Sequence, residues 1–151
     1  MSSYFLDSSA LVKRYIPEVG TVQIREITRV SAENRIFISQ ITSVEFVSAL
    51  SRRLREKTIT SRTMRAARLS FQRHLERQFV PISYSESISR LAMDLLENHP
   101  LRAFDAIQLA PALEIEERLK QAGRPSLVFV CADKRLLIVA STVGLTVEEP
   151  K

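Results

Sequence analysis

The chain has 151 residues, 45% hydrophobic and 26% charged, with a formal net charge of +5; that length fits one domain, residues 1–151, whose core needs no disulfide or structural metal. The single cysteine, Cys131, excludes an intramolecular disulfide, and the composition is that of a globular chain rather than a disordered one. No window approaches the ~20 apolar residues of a membrane span, and Met1 to Asp7 lacks the basic start and apolar stretch of a secretory leader, so the expected location is the cytoplasm.

Tyr4-Phe5-Leu6 is a short apolar run ending at Asp7, and Ser8 and Ser9 are placed to cap a helix begun by Ala10, Leu11 and Val12. Pro17 and Gly20 break that helix. Val22 to Ser31 reads as a second one, with Val22, Ile27 and Val30 inward. Arg35-Ile36-Phe37-Ile38-Ser39 is β-branched and aromatic, hence a strand. Thr42 to Arg55 is a helix in which Val44, Val47, Leu50 and Leu54 recur at helical spacing. After a turn at Lys57 to Thr60, Ser61 caps a long helix with Met64, Ala67, Phe71 and Leu75 on its inner stripe.

Phe79-Val80-Pro81-Ile82 is a third strand, and its proline suggests an edge or a strand end. Ser85 caps a helix through Glu97 with Ile88, Leu91, Ala92 and Leu95 inward. A further helix runs from Ala103 to Ala122 and ends at Gly123. Leu127 to Cys131 is apolar throughout, as a central parallel strand requires. A short helix from Asp133 to Thr142 and a last strand, Leu145-Thr146-Val147, complete the chain. Strands alternating with helices imply an α/β fold with a parallel sheet covered on both faces. Ligands in such folds bind outside the carboxyl ends of the strands.

Four acids share that structural address. Asp7 follows the first strand, Glu45 and Asp105 sit near helix starts, and Asp133 follows the fourth strand. Each has an ordinary reading: Asp7 and Asp133 as helix caps, and Asp105 as the partner of Arg102 three residues before it. Glu45 has none, because no base lies one turn away. Asp94, with Arg90 one turn back, is an ordinary surface pair. Jointly, four carboxylates on one edge repel unless something neutralises them, and oxygen-only ligands suit Mg²⁺ or Mn²⁺. His74 and His99 are far apart, which excludes a zinc cluster. With Gly20, Gly123 and Gly144 as the only glycines, the Gly-rich phosphate-binding motifs are absent.

What remains is metal-assisted hydrolysis on a phosphate ester. A polyanion has somewhere to bind: Arg52, Arg53, Arg55, Lys57, Arg62, Arg65, Arg68, Arg73 and Arg77 are opposed in their segment by Glu56 and Glu76 alone. Solvated helix surface explains the same block equally well.

The segments Asp7-Ser8-Ser9-Ala10-Leu11-Val12-Lys13, Thr42-Ser43-Val44-Glu45, Leu101 to Ala110 and Phe129 to Leu136 together resemble PIN-domain proteins of the VapC type, in order and over nearly the whole chain. The resemblance implies a parallel five-stranded sheet between helices, with an acidic site at the carboxyl edge of the strands. It implies a Mg²⁺- or Mn²⁺-dependent ribonuclease, the toxin of a toxin–antitoxin pair, acting on RNA. It also implies a homodimer and a small antitoxin that covers the site. By position, Asp7 and Asp105 are the principal metal ligands, Asp133 and Glu45 complete the catalytic set, and Ser9 supports Asp7. Three positions depart from the family pattern. Cys131 stands where threonine is frequent, Gln108 stands where histidine is frequent, and Pro111 lies within a helix, where it deletes a backbone hydrogen bond. Two other readings compete: a PIN-like module that binds RNA or protein without turnover, and a phosphatase using Asp7 as nucleophile. The second would want an aspartate where Ser9 stands.

Overall fold

The computed structural model describes residues 1–151. Five strands, β1 (Ser3–Leu6), β2 (Arg35–Ser39), β3 (Phe79–Ile82), β4 (Val128–Val130) and β5 (Thr146–Glu148), form one sheet in the order β3-β2-β1-β4-β5. Every pairing is parallel. The seven helices are α1 (Ser8–Leu11), α2 (Thr21–Ile27), α3 (Thr42–Arg55), α4 (Ser61–Arg77), α5 (Glu86–Asn98), α6 (Ala103–Gln121) and α7 (Lys134–Thr142). None of them is long and apolar enough to cross a membrane.

The two-residue period of the strands divides the core between the faces of the sheet. Phe5, Phe37 and Phe129 point to one face, where α5, α6 and α7 supply Ile88, Leu109 and Leu136. Leu6, Ile36, Ile38 and Val130 point to the other, against Leu11, Ile24, Phe46 and Phe71 from α1 to α4. Strands buried on both faces carry no polar alternation, which is why Leu127 to Cys131 reads as apolar throughout. Strand β3, with Pro81, lies at the edge.

Two helical faces differ from the sequence expectation. In α2, Ile24 and Ile27 are buried, whereas Val22 and Val30 are exposed. Val22 and Ile27 are five residues apart, about 140° around a helix, so they cannot share a face. The helix also stops at Ile27 rather than Ser31, and a 3-10 turn at Val30–Ala32 follows. In α3 the fully buried positions are Thr42, Phe46 and Leu50, at four-residue spacing, and this turns Val44 to solvent. Thr60, not Ser61, caps α4 by accepting a hydrogen bond from the Thr63 amide. Pro111 is buried within α6, and the helix continues past it to Gln121.

The chain enters β4 under the control of one buried carboxylate. Glu116 of α6 accepts a hydrogen bond from the Leu127 amide at 2.7 Å, and Lys120 lies 3.9 Å from its other oxygen. Removing that acceptor strands a buried N–H immediately before the strand that leads to Cys131 and Asp133. Glu116→Ala is therefore expected to lower stability by roughly 1–3 kcal/mol, and Glu116→Gln, which keeps an acceptor, by less; urea unfolding of the two variants measures the difference.

Candidate functional site

The strand order reverses at β1. From β1 the chain moves outward to β2 and β3, then returns to place β4 and β5 on the other side. The crevice at such a switch lies between the carboxyl ends of β1 and β4. Asp7 sits there: it follows β1, and its amide donates to the Val130 carbonyl at the end of β4. Asp133, three residues beyond Val130, starts α7. Glu45 lies in the first turn of α3 and Asp105 in the first turn of α6, where the positive helix ends favour a carboxylate.

Asp7 is only 5% exposed, and its carboxylate is held on both oxygens. Oδ1 accepts from the Ser9 hydroxyl at 2.7 Å and from the Ala10 amide at 3.0 Å. Oδ2 accepts from the Cys131 thiol at 3.1 Å. Ser9 is itself fixed, since its oxygen accepts from the Ala132 amide at 2.9 Å. Burial pushes the Asp7 carboxyl up to about 6; the bonds from Ser9, Cys131 and Ala10 oppose the shift, and the charge of Glu45 adds to it. Burial and the neighbouring carboxylate push the Cys131 thiol well above its ordinary range, so it stays protonated and remains a donor. Cys131 thus performs with a thiol the bonding that a hydroxyl would supply. Its sulfur also accepts from the Asp133 amide at 3.2 Å, linking the two acids.

Glu45 owes its place to Gln108, one turn along α6 from Asp105. The Gln108 amide nitrogen reaches Glu45 Oε1 at 2.6 Å, Ser8 Oγ at 3.0 Å and Thr42 Oγ1 at 3.1 Å. Turning the amide over would set two oxygens against each other, so its orientation is fixed. Its Oε1 is left buried without a partner, a cost borne in order to hold Glu45. Asp105 Oδ2 accepts from the Arg102 amide at 3.1 Å. The Arg102 guanidinium then bridges two acids, with Nε 3.4 Å from Asp105 and Nη2 3.5 Å from Asp133. Asp133 also caps α7 through the Arg135 amide at 2.9 Å.

All four predicted acids and Ser9 therefore lie on one connected network at the carboxyl edge. Asp7 couples electrostatically to Glu45, and Arg102 couples Asp105 to Asp133. No three acids stand together within reach of one ion. The donor set nevertheless suits a hard cation in kind, being carboxylate oxygen throughout. The sequence reading left Gln108, Cys131 and Arg102 outside the candidate site. Their signal was proximity: each lies within three residues of an acid.

The PIN domain family model matches residues 4–139. The chain belongs to the PIN domain family. Among solved structures it is similar to VapC20 of Mycobacterium tuberculosis, described as a sarcin–ricin-loop-cleaving toxin, with 16% identity and TM-score 0.62, covering 95% of this chain and 96% of that one. It is similar to VapBC2 of Rickettsia felis, bound to a DNA fragment from their promoter, at 13% identity and TM-score 0.59, covering 97% and 98%. It is also similar to VapBC-1 of nontypeable Haemophilus influenzae at 14% identity and TM-score 0.56, covering 97% of each chain. At these identities the likeness is one of fold. No curated protein matches the chain.

The position of Asp7 has a measurable consequence. Its folded value near 6 lies above the ordinary 3.8, so between those values the native state binds more protons than the unfolded state, and stability falls as pH rises through the window. At pH 7 the buried charge costs the metal-free protein about 3 kcal/mol. Asp7→Asn removes that charge. In EDTA it is expected to stabilise the fold at pH 7 by roughly 1–3 kcal/mol and to flatten the stability profile between pH 4 and 7; urea unfolding at several pH values checks both.

Proposed function

We propose that this PIN domain is a Mg²⁺- or Mn²⁺-dependent endoribonuclease, the toxin of a toxin–antitoxin pair. What carries the reading is the convergence of Asp7, Glu45, Asp105 and Asp133, from four separate segments, on the switch point of the sheet. Asp7, Asp105 and Asp133 would hold the cation by drawing together as Arg102 is displaced, since no three acids stand within reach of one ion in the metal-free chain. A bound cation would lower the pKa of a coordinated water and stabilise charge on the phosphoryl group.

The chain's own residues do the rest. Ser9 and Cys131 fix the Asp7 carboxylate so that its geometry is set before any ligand arrives. Gln108 holds Glu45 on the α3 side of the edge, where its carboxylate can accept a proton from an attacking water. Arg102 supplies positive charge between Asp105 and Asp133 in the metal-free chain, and its side chain, 69% exposed, is free to swing away. RNA is the substrate we assign. Eight basic side chains of the α3–α4 region, Arg52, Arg55, Lys57, Arg62, Arg65, Arg68, Arg73 and Arg77, are exposed and enter no intrachain ion pair; Arg53 alone of the block pairs, with Glu18 at 3.3 Å. A small antitoxin covering the acidic edge, in line with the VapBC assemblies among the structural neighbours, and a homodimer complete the proposal.

Substrate cleavage is tested with purified chain and single-stranded RNA in Mg²⁺. Asp7→Asn and Asp105→Asn are each expected to lower the cleavage rate at least a hundredfold with the fold intact by circular dichroism; undiminished cleavage by both variants would show the assignment to be wrong.

The bridge made by Arg102 favours one specific alternative, a module whose acids are neutralised from within and which binds without turnover. Arg102→Gln separates the two. If the acids hold a cation, removing the competing guanidinium should tighten Mn²⁺ binding roughly three- to tenfold, read by calorimetry or electron paramagnetic resonance. A chain that binds no Mn²⁺ with or without Arg102 is the non-catalytic module.

A further inference from the structure

A second cavity, of about 390 Å³, lies away from the four acids, between α4 and the turn that follows α1. Arg14, Tyr15, Arg25, Thr63, Ser70 and His74 line it, and none of its lining residues is acidic. We propose that this cavity is a binding site for a phosphate oxyanion.

Arg14 is the first reason. Its guanidinium is half-buried in the 3-10 turn Val12–Arg14 and has no carboxylate within ion-pair distance. It is held instead by neutral partners: Nη1 donates to Gln78 Oε1 at 2.8 Å and Nη2 lies 3.2 Å from His74 Nε2, while its carbon stands 5.5 Å from the Phe79 ring centre. A partly desolvated cation without a counter-charge is costly, and burial lowers its pKa accordingly. Arg25 is the second reason. Its Nε donates to the Arg14 carbonyl at 3.2 Å, which anchors the side chain beside the first guanidinium and leaves both terminal nitrogens free. Arg25 also lacks an acidic partner.

Three residues lining the cavity, Tyr15, Thr63 and Ser70, carry hydroxyls with a proton to donate. Because arginine can only donate, Arg14 fixes His74 Nε2 as the acceptor. His74 Nδ1 then carries the proton and donates to the Tyr15 hydroxyl at 2.7 Å. Burial, reinforced by Arg14 and Arg73, lowers the His74 pKa to about 4, so the ring is neutral at pH 7. Tyr15 accepts through its oxygen and retains its proton. The same holds for Ser70, whose oxygen accepts from Arg73 at 3.3 Å, and for Thr63, whose oxygen accepts from Thr60 at 3.0 Å. Two guanidinium groups and three spare hydroxyl protons exceed what the two oxygens of a carboxylate accept; a tetrahedral oxyanion offers more oxygen and more charge. A neighbouring hollow shows the contrast: Arg52 and Arg53 share it with Glu18 and Glu56, so its charge is balanced within the chain.

The phosphate has two chemical sources, the backbone of a nucleic-acid strand or a free phosphate. The test uses the full chain and inorganic phosphate at constant ionic strength. The expected result is a saturable rise in Tm together with shifts of the Arg14 and Arg25 Nε–H resonances, with acetate inert. Arg25→Gln should weaken phosphate binding at least fivefold and Tyr15→Phe by a smaller factor, both folded as wild type in chloride. Absence of saturation, an equal effect of acetate, or full binding by Arg25→Gln overturns the site. The source follows from single-stranded RNA binding in EDTA. A log K against log salt slope reduced by about 0.7 in Arg25→Gln assigns the site to a strand phosphate, and an unchanged slope with the phosphate response intact assigns it to free phosphate. The phosphate titration needs no cleavage, so its failure would leave the nuclease reading standing.

Discussion

A carboxylate held out of water at the carboxyl end of β1 is the constraint around which this molecule is arranged. Asp7 cannot be ionised there without donors, and the fold brings them from two sides. Ser9 and Ala10 come from the helix that Asp7 itself caps, and Cys131 comes from the end of the adjoining strand. The pairing of β1 with β4 is what makes the second side possible, through the register that sets Leu6 beside Val130. Glu116, by holding the entry to β4, is an indirect part of the same arrangement. The burial that raises the Asp7 pKa also leaves its charge poorly compensated, which is the condition under which a cation is bound most favourably.

Capping and convergence are not alternatives here. Asp7, Asp105 and Asp133 each bond a backbone amide at the start of a helix, as the local reading of Asp7 and Asp133 predicts, and Asp105 also meets the Arg102 side chain that its own local reading named. In a parallel α/β sheet helix starts gather at the carboxyl edge, so residues selected as caps are carried to one place by the topology. Asp7 caps with Oδ1 and keeps Oδ2 toward β4, and Asp133 caps with Oδ1 while Oδ2 faces Arg102. One oxygen serves the helix and the other serves the site. Glu45, which has no such local bond, is held by Gln108 from a different helix.

The order of strands and helices was legible from composition and period because parallel strands buried on both faces leave unbroken apolar runs. The same property blurred the helical faces. Val22 of α2 and Val44 of α3 lie on exposed faces and Val30 lies in the 3-10 turn after α2, so an apolar count placed all three inward, whereas the four-residue spacing of Thr42, Phe46 and Leu50 marks the buried face of α3. The four acids were conspicuous because each stands near a strand–helix junction or a helix start. Of their hydrogen-bond partners Ser9 was read beside Asp7, and Gln108 and Cys131 were not. Gln108 and Cys131 are ordinary residues in ordinary elements, and only tertiary contact across 63 and 124 residues gives them their roles.

Arg102 shows how such an edge persists without a cation. Two carboxylates fixed by separate helix starts need a positive charge between them, and a guanidinium of five donors is suited to bridge both. Because Arg102 immediately precedes α6 and its amide already bonds Asp105, the bridge needs little further ordering of the chain. Its exposure makes it a weak competitor, since solvent screens an ion pair of this kind. The edge therefore carries a counter-charge of its own, which solvent weakens. In the second cavity the charges are reversed: Arg14 and Arg25 stand together with no acid to meet them. An acidic edge bridged by a guanidinium and a basic hollow without an anion are two places, beside the unpaired basic side chains of α3 and α4, where this chain's charge is balanced incompletely from within, and the cation and the oxyanion proposed for them are of opposite sign.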